Sequence, residues 1–586
     1  MDRCNEVQCD VLIVGGGMAG HWAAIRATEC GASVLVVDKA KVIRSGASIY
    51  AHAYGAPAIE GKYYEKLEEM VVRSSYLGDQ VWFELMLDNI GERLDEMERF
   101  GVQFELDEQG NRKGGEIRGQ SKGFCVLAKG MQVMKSMHDE AQRRKIKFIE
   151  NVAIFDLLTS DGKYPTSERV VGAVGVHRHT GEFIVFKASA VIITSGLISG
   201  KLHRYSMNNM TGDGYAAAFR AGAEITGLEF SQQPWAVWMK RFCAGGVGQF
   251  QHGGASLVNA VGEEFLKKYE GSADDYIGFK GQFDQGALCR AIVIEHVEGR
   301  GPCYIDCMKW TDEKINTMRS VLPMTMRAFD EPGVGLDLKK ELLEVTPMAG
   351  HYGLSCQCGI HIDTCGATKV TGLFAAGSAA YYGGGPSPQS FAITGGYRAG
   401  EFAAKLARDS EKPQINKEQV ENVRCHLMAP MTREKGITPD EIYNVINKIV
   451  VPWSNSIFKH GSRLEKAISE IRDVEAEMLT RVTADGDVHE LVKAAESRNF
   501  ALLMGLYNRA ALERKESRMV HFREEFPFQD DVNWTKLVLV GSGDNGSVYA
   551  RTQSVNWGRT AIVPEKFTKT PAFVPYSMEK ALSLSI

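Results

Sequence analysis

The sequence predicts an α/β fold with an inserted α+β unit, a helical unit and a small C-terminal region. Three observations predict it. The first is an apolar strand, a glycine-rich turn, a helix pattern and a second apolar strand, in that order, at the start of the chain. The second is a pair of further apolar runs ending in small residues, at 190–196 and 371–377, which make the first unit discontinuous. The third is a set of apolar residues at helical spacing within 411–525.

Asp10 to Val14 reads as a buried strand and leads into Gly15-Gly16-Gly17-Met18-Ala19-Gly20. A helix pattern follows, with Ala23, Ala24 and Ala27 before the stop at Gly31. Ser33 to Val37 is the second strand and ends at Asp38. In a Gly-x-Gly-x-x-Gly turn, Gly15 permits the tight bend, Gly17 admits a diphosphate to the backbone, and Gly20 lets helix and strand pack closely. The helix N-terminus offers free N–H groups to an anion. Asp38, 18 residues beyond Gly20, is placed to hold a ribose hydroxyl.

Three further segments favour FAD over a nicotinamide dinucleotide. Lys39 begins a stretch that ends in Arg44-Ser45-Gly46-Ala47-Ser48. Ala190 to Ile193 is an apolar strand ending in Thr194-Ser195-Gly196. Thr371 to Gly377 closes another strand, and a glycine run leads from it to a helix at Phe391 to Lys405. A Rossmann-like site gathered from such distant parts points to an FAD-dependent oxidoreductase.

Composition bounds the remainder. A chain of 586 residues exceeds one core and implies three or four units. Hydrophobic residues at 44% and charged residues at 24% are ordinary for a globular enzyme. A net charge of −5 with mixed signs gives no footprint for a nucleic-acid polymer. No apolar run approaches the ~20 residues of a membrane span, and the N-terminus lacks a signal-peptide pattern, so a cytoplasmic location is expected. The 12 cysteines are scattered. The sets Cys303/Cys307 and Cys356/Cys358/Cys365 match neither an iron–sulfur nor a zinc spacing, so no metal is expected. Reduced thiols are the expectation.

Further motifs stand in one order along the chain. They are Thr211-Gly-Asp-Gly214 with Ala221-Gly-Ala223, Asn259 to Phe265, Ile294 to Gly301, and Glu516 to Pro527. Together with the segments above they resemble the flavoprotein subunits of succinate dehydrogenase, fumarate reductase and L-aspartate oxidase. They also resemble the α subunit of dissimilatory adenylylsulfate reductase. The resemblance covers nearly the whole chain. It implies an FAD domain at about 1–235 and 345–410, a capping domain at 236–344, a helical domain at 411–525 and a C-terminal region at 526–586. The implied FAD contacts are Gly15, Gly17, Met18, Ala19, Gly20, Asp38, Lys39, Ser45, Gly46, Ala47, Ser195, Gly196, Asp213, Gly377, Ser378, Ser390 and Phe391.

Departures from the pattern narrow the chemistry. Many succinate and fumarate enzymes join flavin to a histidine after Arg-Ser; here that place is Gly46, so the FAD should be non-covalent. Their proton-delivering arginine falls on Gln285, and their carboxylate-holding arginine falls on Pro386. Lys39 to Gly46, Lys240-Arg241-Phe242, Ala349-Gly350-His351 and Pro452-Trp453 resemble adenylylsulfate reductase more closely, although a pocket asparagine of that family falls on Ala56.

His351 and Arg241 are therefore the first catalytic candidates, with His252 and Arg290 behind them. Histidine binds an anion when charged and shuttles protons near neutrality. A guanidinium suits an oxyanion. Packing roles remain open for each, as does a structural role for Arg518, His521 and Arg523.

The substrate class is a small anion. Adenylylsulfate, or sulfite with AMP, is the first expectation, with an iron–sulfur partner in a hetero-oligomer. The alternatives are an enoate reductase or dehydrogenase acting on another organic acid, and a non-catalytic electron-relay subunit.

Overall fold

The computed structural model describes residues 5–51, 53–55, 61–115, 125–199, 209–230, 236–238, 243–244, 250, 254–268, 285–321, 323–331, 335–346, 357–384, 388–543, 546–564 and 569–571. Its centre is a seven-stranded sheet. Strand β1 (Asn5–Val14) runs parallel to β2 (Val34–Val37), which in turn runs parallel to β3 (Lys147–Ile149). Strands β4 (Val152–Thr159) and β5 (Val170–His177) form an antiparallel hairpin. Strand β6 (Phe183–Ile193) joins the halves, parallel to β1 and antiparallel to β5. The late strand β7 (Leu373–Ala375) pairs in parallel with Val191–Ile193 of β6, so the chain returns to this sheet after the insert.

Val11, Leu12 and Ile13 of β1 and Val191, Ile192 and Ile193 of β6 are fully buried, as expected of parallel strands covered on both faces. Helix α1 (Met18–Glu29) covers one face, and the long helix α2 (Pro388–Asp409) packs on it. Their approach is close: a Cβ on Gly396 or Gly400 of α2 would lie 2.4 Å from a carbonyl oxygen of α1.

Residues 236–346 contribute a separate five-stranded sheet with its own apolar core around Phe250, Leu257, Ile305, Phe329 and Val345. Its helix α3 (Gln285–Val297) packs through Cys289, Val293 and Ile294 on Ile457, Phe458 and Phe522. The helical part ends in α4 (Val488–Glu513), a 26-residue helix started by the Asp487 cap.

The C-terminal region folds back onto the first unit. Strand β8 (Lys536–Ser542) pairs antiparallel with Ile225–Thr226, and Val548–Ser554 pairs with β8. No helix among the described residues is long and apolar enough to cross a membrane.

Candidate functional site: a dinucleotide cleft

The cleft forms where β1 gives way to α1. Gly15 sits at φ +114°, and a Cβ there would lie 2.5 Å from the Thr194 carbonyl oxygen at the end of β6. Gly20 is pressed onto the same turn, where a Cβ would lie 2.0 Å from Gly15 O. Both glycines are therefore required by packing. Gly17 is the helix N-cap, with no side-chain cap and no acid in the first turn. Ser48 Oγ accepts from Met18 N–H at 3.1 Å, and with no acid beside it the positive end of α1 suits a ligand anion at the cleft.

The cleft encloses about 1040 Å³, counting space open to solvent. Gly15, Gly17, Met18 and Ala19 line its first wall, and Asp38, Lys39, Ser45, Gly46 and Ala47 line the second. Ser195, Gly196, Asp213, Gly377 and Ser378 complete it. Gly20, Ser390 and Phe391 lie outside the lining. Ser390 Oγ donates to Gly55 O at 2.7 Å, and Phe391 stacks on Tyr382 at 4.8 Å. Sequence reasoning missed Thr194, Asn209, Met210, Pro388 and Gln389, which also line the cleft. Thr194, Met210 and Gln389 adjoin residues that it named, whereas Val152 and Ile154, also in the lining, stand far from any of them in sequence.

Asp38 is fixed before any ligand arrives. Its Oδ2 accepts from Gly16 N–H at 2.6 Å and its Oδ1 from Ala40 N–H at 2.8 Å. Burial raises its pKa against those two bonds. A carboxylate has about four acceptor directions, so both oxygens retain capacity for a ribose hydroxyl.

Lys39 and Asp213 bind each other. Lys39 Nζ lies 2.8 Å from Asp213 Oδ2 and 2.5 Å from Glu496 Oε1, and donates to Thr211 Oγ1 at 2.6 Å. Asn499 Nδ2 donates to Asp213 Oδ1 at 2.8 Å. Burial alone would lower the Lys39 pKa, but the two carboxylates hold it raised. Burial would likewise raise Asp213, but Lys39 and its hydrogen bonds hold it low. This pair ties the cleft wall to α4.

The residues present fit FAD. The acid-free start of α1 suits the diphosphate and Asp38 a ribose. Ser195 Oγ is buried at the cleft with no hydrogen-bond partner among the described residues, as a group awaiting a ligand would be. Gly46 is open, with nothing within 4 Å of a built Cβ, and offers no nucleophile for a flavin bond.

A family model described as FAD binding domain matches residues 10–390. The chain belongs to this family of FAD-binding flavoproteins. A second model, fumarate reductase flavoprotein C-term, matches residues 452–568.

One subunit of the fumarate reductase (CoM/CoB) of Methanothermobacter marburgensis is 28% identical over 91% of this chain and 97% of its own. L-aspartate oxidase of Streptomyces coelicolor is 26% identical over 91% of each. Among solved structures, E. coli quinol fumarate reductase superposes with a TM-score of 0.82 at 21% identity, covering 96% of this chain and 99% of that one. Adenylylsulfate reductase of Archaeoglobus fulgidus gives 0.77 at 20% identity, covering 95% and 97%. Both structural likenesses concern the fold. The protein is an FAD-dependent oxidoreductase of the succinate dehydrogenase and fumarate reductase flavoprotein group.

Arg241, His252 and His351 lie outside the described residues, as do Ala56, Cys356 and Pro386. Arg290 lies on α3, is 3% exposed, and sits 5.0 Å from the Phe522 ring centre. It is at the junction with the helical part and does not line the described cleft. Arg518, His521 and Arg523 belong to the same buried junction. Arg518 binds Glu516 at 2.8 Å and Asp531 at 2.8 Å, and Arg523 Nη1 donates to Ala511 O at 2.8 Å. Among the described residues no group of three or more His, Cys, Asp or Glu is arranged for a metal ion.

Proposed function

We propose that this chain is the flavoprotein subunit of a two-electron oxidoreductase for a small organic acid, exchanging electrons with a separate iron–sulfur protein. The observation that carries the reading is a cleft with FAD-binding features in a chain resembling organic-acid enzymes along nearly its whole length. Bound FAD would supply the two-electron chemistry. The N-terminal end of α1 would hold the diphosphate, Asp38 a ribose, and Ser195 Oγ would donate to or accept from the cofactor. Arg241 and His252 would hold the substrate anion, and His351 would bind it or move a proton.

The acid differs from succinate or fumarate. Gln285 and Pro386 stand where the resembling enzymes hold arginines, and glutamine supplies neither a cation nor a proton relay. The same departures, with the Lys39–Gly46 and Lys240–Phe242 likenesses, favour adenylylsulfate as a second reading.

One experiment separates the two. The anaerobic protein is assayed with a dye donor against a panel of unsaturated acids, and with sulfite and a dye acceptor with and without AMP. Dye-linked turnover of an unsaturated acid supports the first reading. Sulfite oxidation only when AMP is present replaces it with the second.

A further inference from the structure

We propose that Tyr382 is a positioning residue for the cofactor, and that the chain from Asn556 to Ile562 is a latch that holds it in place. The inference rests on the FAD assignment and is independent of the substrate.

Gly377 and Ser378 form the cleft wall contributed by the loop after β7. The loop opens with a single 3-10 turn, Gly377–Ala379, closed by Ala380 N–H on Gly377 O at 3.0 Å. Two tyrosine hydroxyls hold that turn from outside it. Gly377 N–H donates to Tyr382 Oη at 3.1 Å in a buried setting. Tyr215 Oη donates to the Ser378 carbonyl oxygen. The Tyr382 ring is itself held, stacked on Phe391 at 4.8 Å and met edge-on by Trp82 at 4.9 Å. Gly395 makes room for its hydroxyl, since a Cβ there would lie 2.1 Å from Tyr382 Oη.

The backbone of 381–383 is tied to the segment 77–79. Tyr381 Oη donates to Leu77 O at 2.9 Å, and Asp79 N–H donates to Tyr382 O at 3.1 Å. Gly383, at φ +89°, lies so near that a Cβ would be 2.2 Å from Gly78 Cα. Segment 77–79 is held from its other side by the end of the chain. Asn556 Nδ2 donates to Asp79 Oδ2 at 2.7 Å, and Gln80 N–H donates to Asn556 O at 3.1 Å. Gln80 and Ile562 exchange two hydrogen bonds, at 2.6 and 3.0 Å. Arg559 and Thr560 N–H groups close on the Glu84 carboxylate at 3.0 and 2.9 Å.

A continuous chain of polar contacts thus runs from the C-terminal segment through Asp79 and Tyr382 to Gly377. Asn556 is not part of the cleft lining. Its influence on FAD must therefore pass through this chain.

The test titrates FAD-free protein with FAD, following flavin fluorescence and the visible circular dichroism of the bound flavin. Tyr382→Phe removes the accepting oxygen and keeps the ring. The expected loss of affinity is about three- to tenfold, the scale of one buried hydrogen bond, with an altered visible dichroism. Asn556→Ala should move both readouts the same way. The double variant should lose less than the product of the single losses, as residues in one network do.

Wild-type affinity and dichroism in Tyr382→Phe overturn the positioning role. Multiplicative losses in the double variant overturn the latch. If Tyr382→Phe does not fold, Asn556→Ala decides alone, and unchanged affinity and dichroism there overturn the proposal. Failure of acid turnover in a protein that binds FAD bears on the substrate reading only.

Discussion

Two regions of this molecule are dense in polar motif residues, and they are built on opposite plans. In the cleft below β1 and β6, binding capacity is left open: no acid stands in the first turn of α1 and Ser195 Oγ has no partner among the described residues. In the junction around 514–531 the charges close on one another. Arg514 binds Glu229 at 2.9 Å and Glu516 at 2.7 Å, and Glu516 also binds Arg518, all four fully or almost fully buried. Charge and family likeness therefore do not by themselves mark a site. Unspent hydrogen-bonding capacity counts only beside a cavity: Glu229 Oε2 and His521 Nδ1 of the junction also lack partners among the described residues, but neither is in the cleft lining.

The strongest consequence falls on the closed region. Glu516→Ala leaves Arg514 and Arg518 buried beside a missing carboxylate, and should cost about 3–5 kcal/mol of stability. Denaturant unfolding of the FAD-free protein measures it. An unchanged midpoint would break the contrast by showing the junction to be no structural joint.

The next effect is a pH dependence at the back of the cleft helix. His21 Nδ1 lies 3.0 Å from Gly17 O, and its Nε2 lies 3.2 Å from His138 Nδ1. Burial lowers the His21 pKa to about 4, with the Gly17 carbonyl opposing and His138 adding to the fall. The folded state then binds fewer protons than the unfolded state, whose histidine titrates near 6.5. Stability from neutral His21 is complete above about 6.5 and is lost as pH falls toward 4, on the order of 3 kcal/mol. His21→Leu should flatten that slope in urea midpoints measured across the range. A slope retained in full would place its source elsewhere.

A smaller effect sharpens the open region. Ser195→Ala removes an orphan hydroxyl, so the FAD-free protein should be no less stable. FAD affinity should fall by about 1 kcal/mol, roughly fivefold. A stability loss without an affinity loss would move Ser195 from the binding surface to the core.

The smallest chemical change concerns the bond that should be missing. Because Gly46 carries no nucleophile, acid precipitation should release FAD into the supernatant. Flavin retained in the pellet would show a covalent link elsewhere.

How much of this was legible follows from chain separation. The β1–turn–α1–β2 unit and Asp38 are local, and each glycine has a reason within a few dozen residues or at the end of one neighbouring strand. The pairing of Lys39 with Asp213 spans 174 residues, so sequence named both as cofactor contacts without seeing that they neutralise each other. The orphan state of Ser195 Oγ is likewise a property of the assembled surroundings. The pairing of Lys536–Ser542 with Ile225–Thr226 was not legible, since a two-residue strand carries almost no pattern. Asn556 and Gln80 gave no signal, because amides at a surface turn and a helix start are common.

Every statement about the cofactor depends on the open cleft being the FAD site, and Ala47→Glu puts that to the test. Ala47 lines the cleft and is only partly buried, so a carboxylate there repels the dinucleotide without filling the core. FAD is titrated into wild-type and variant protein freed of flavin. The prediction is one FAD per wild-type chain, and an affinity at least about tenfold weaker in the variant with an unchanged thermal midpoint before FAD is added. Equal affinity in the two proteins would contradict the assignment of this cleft.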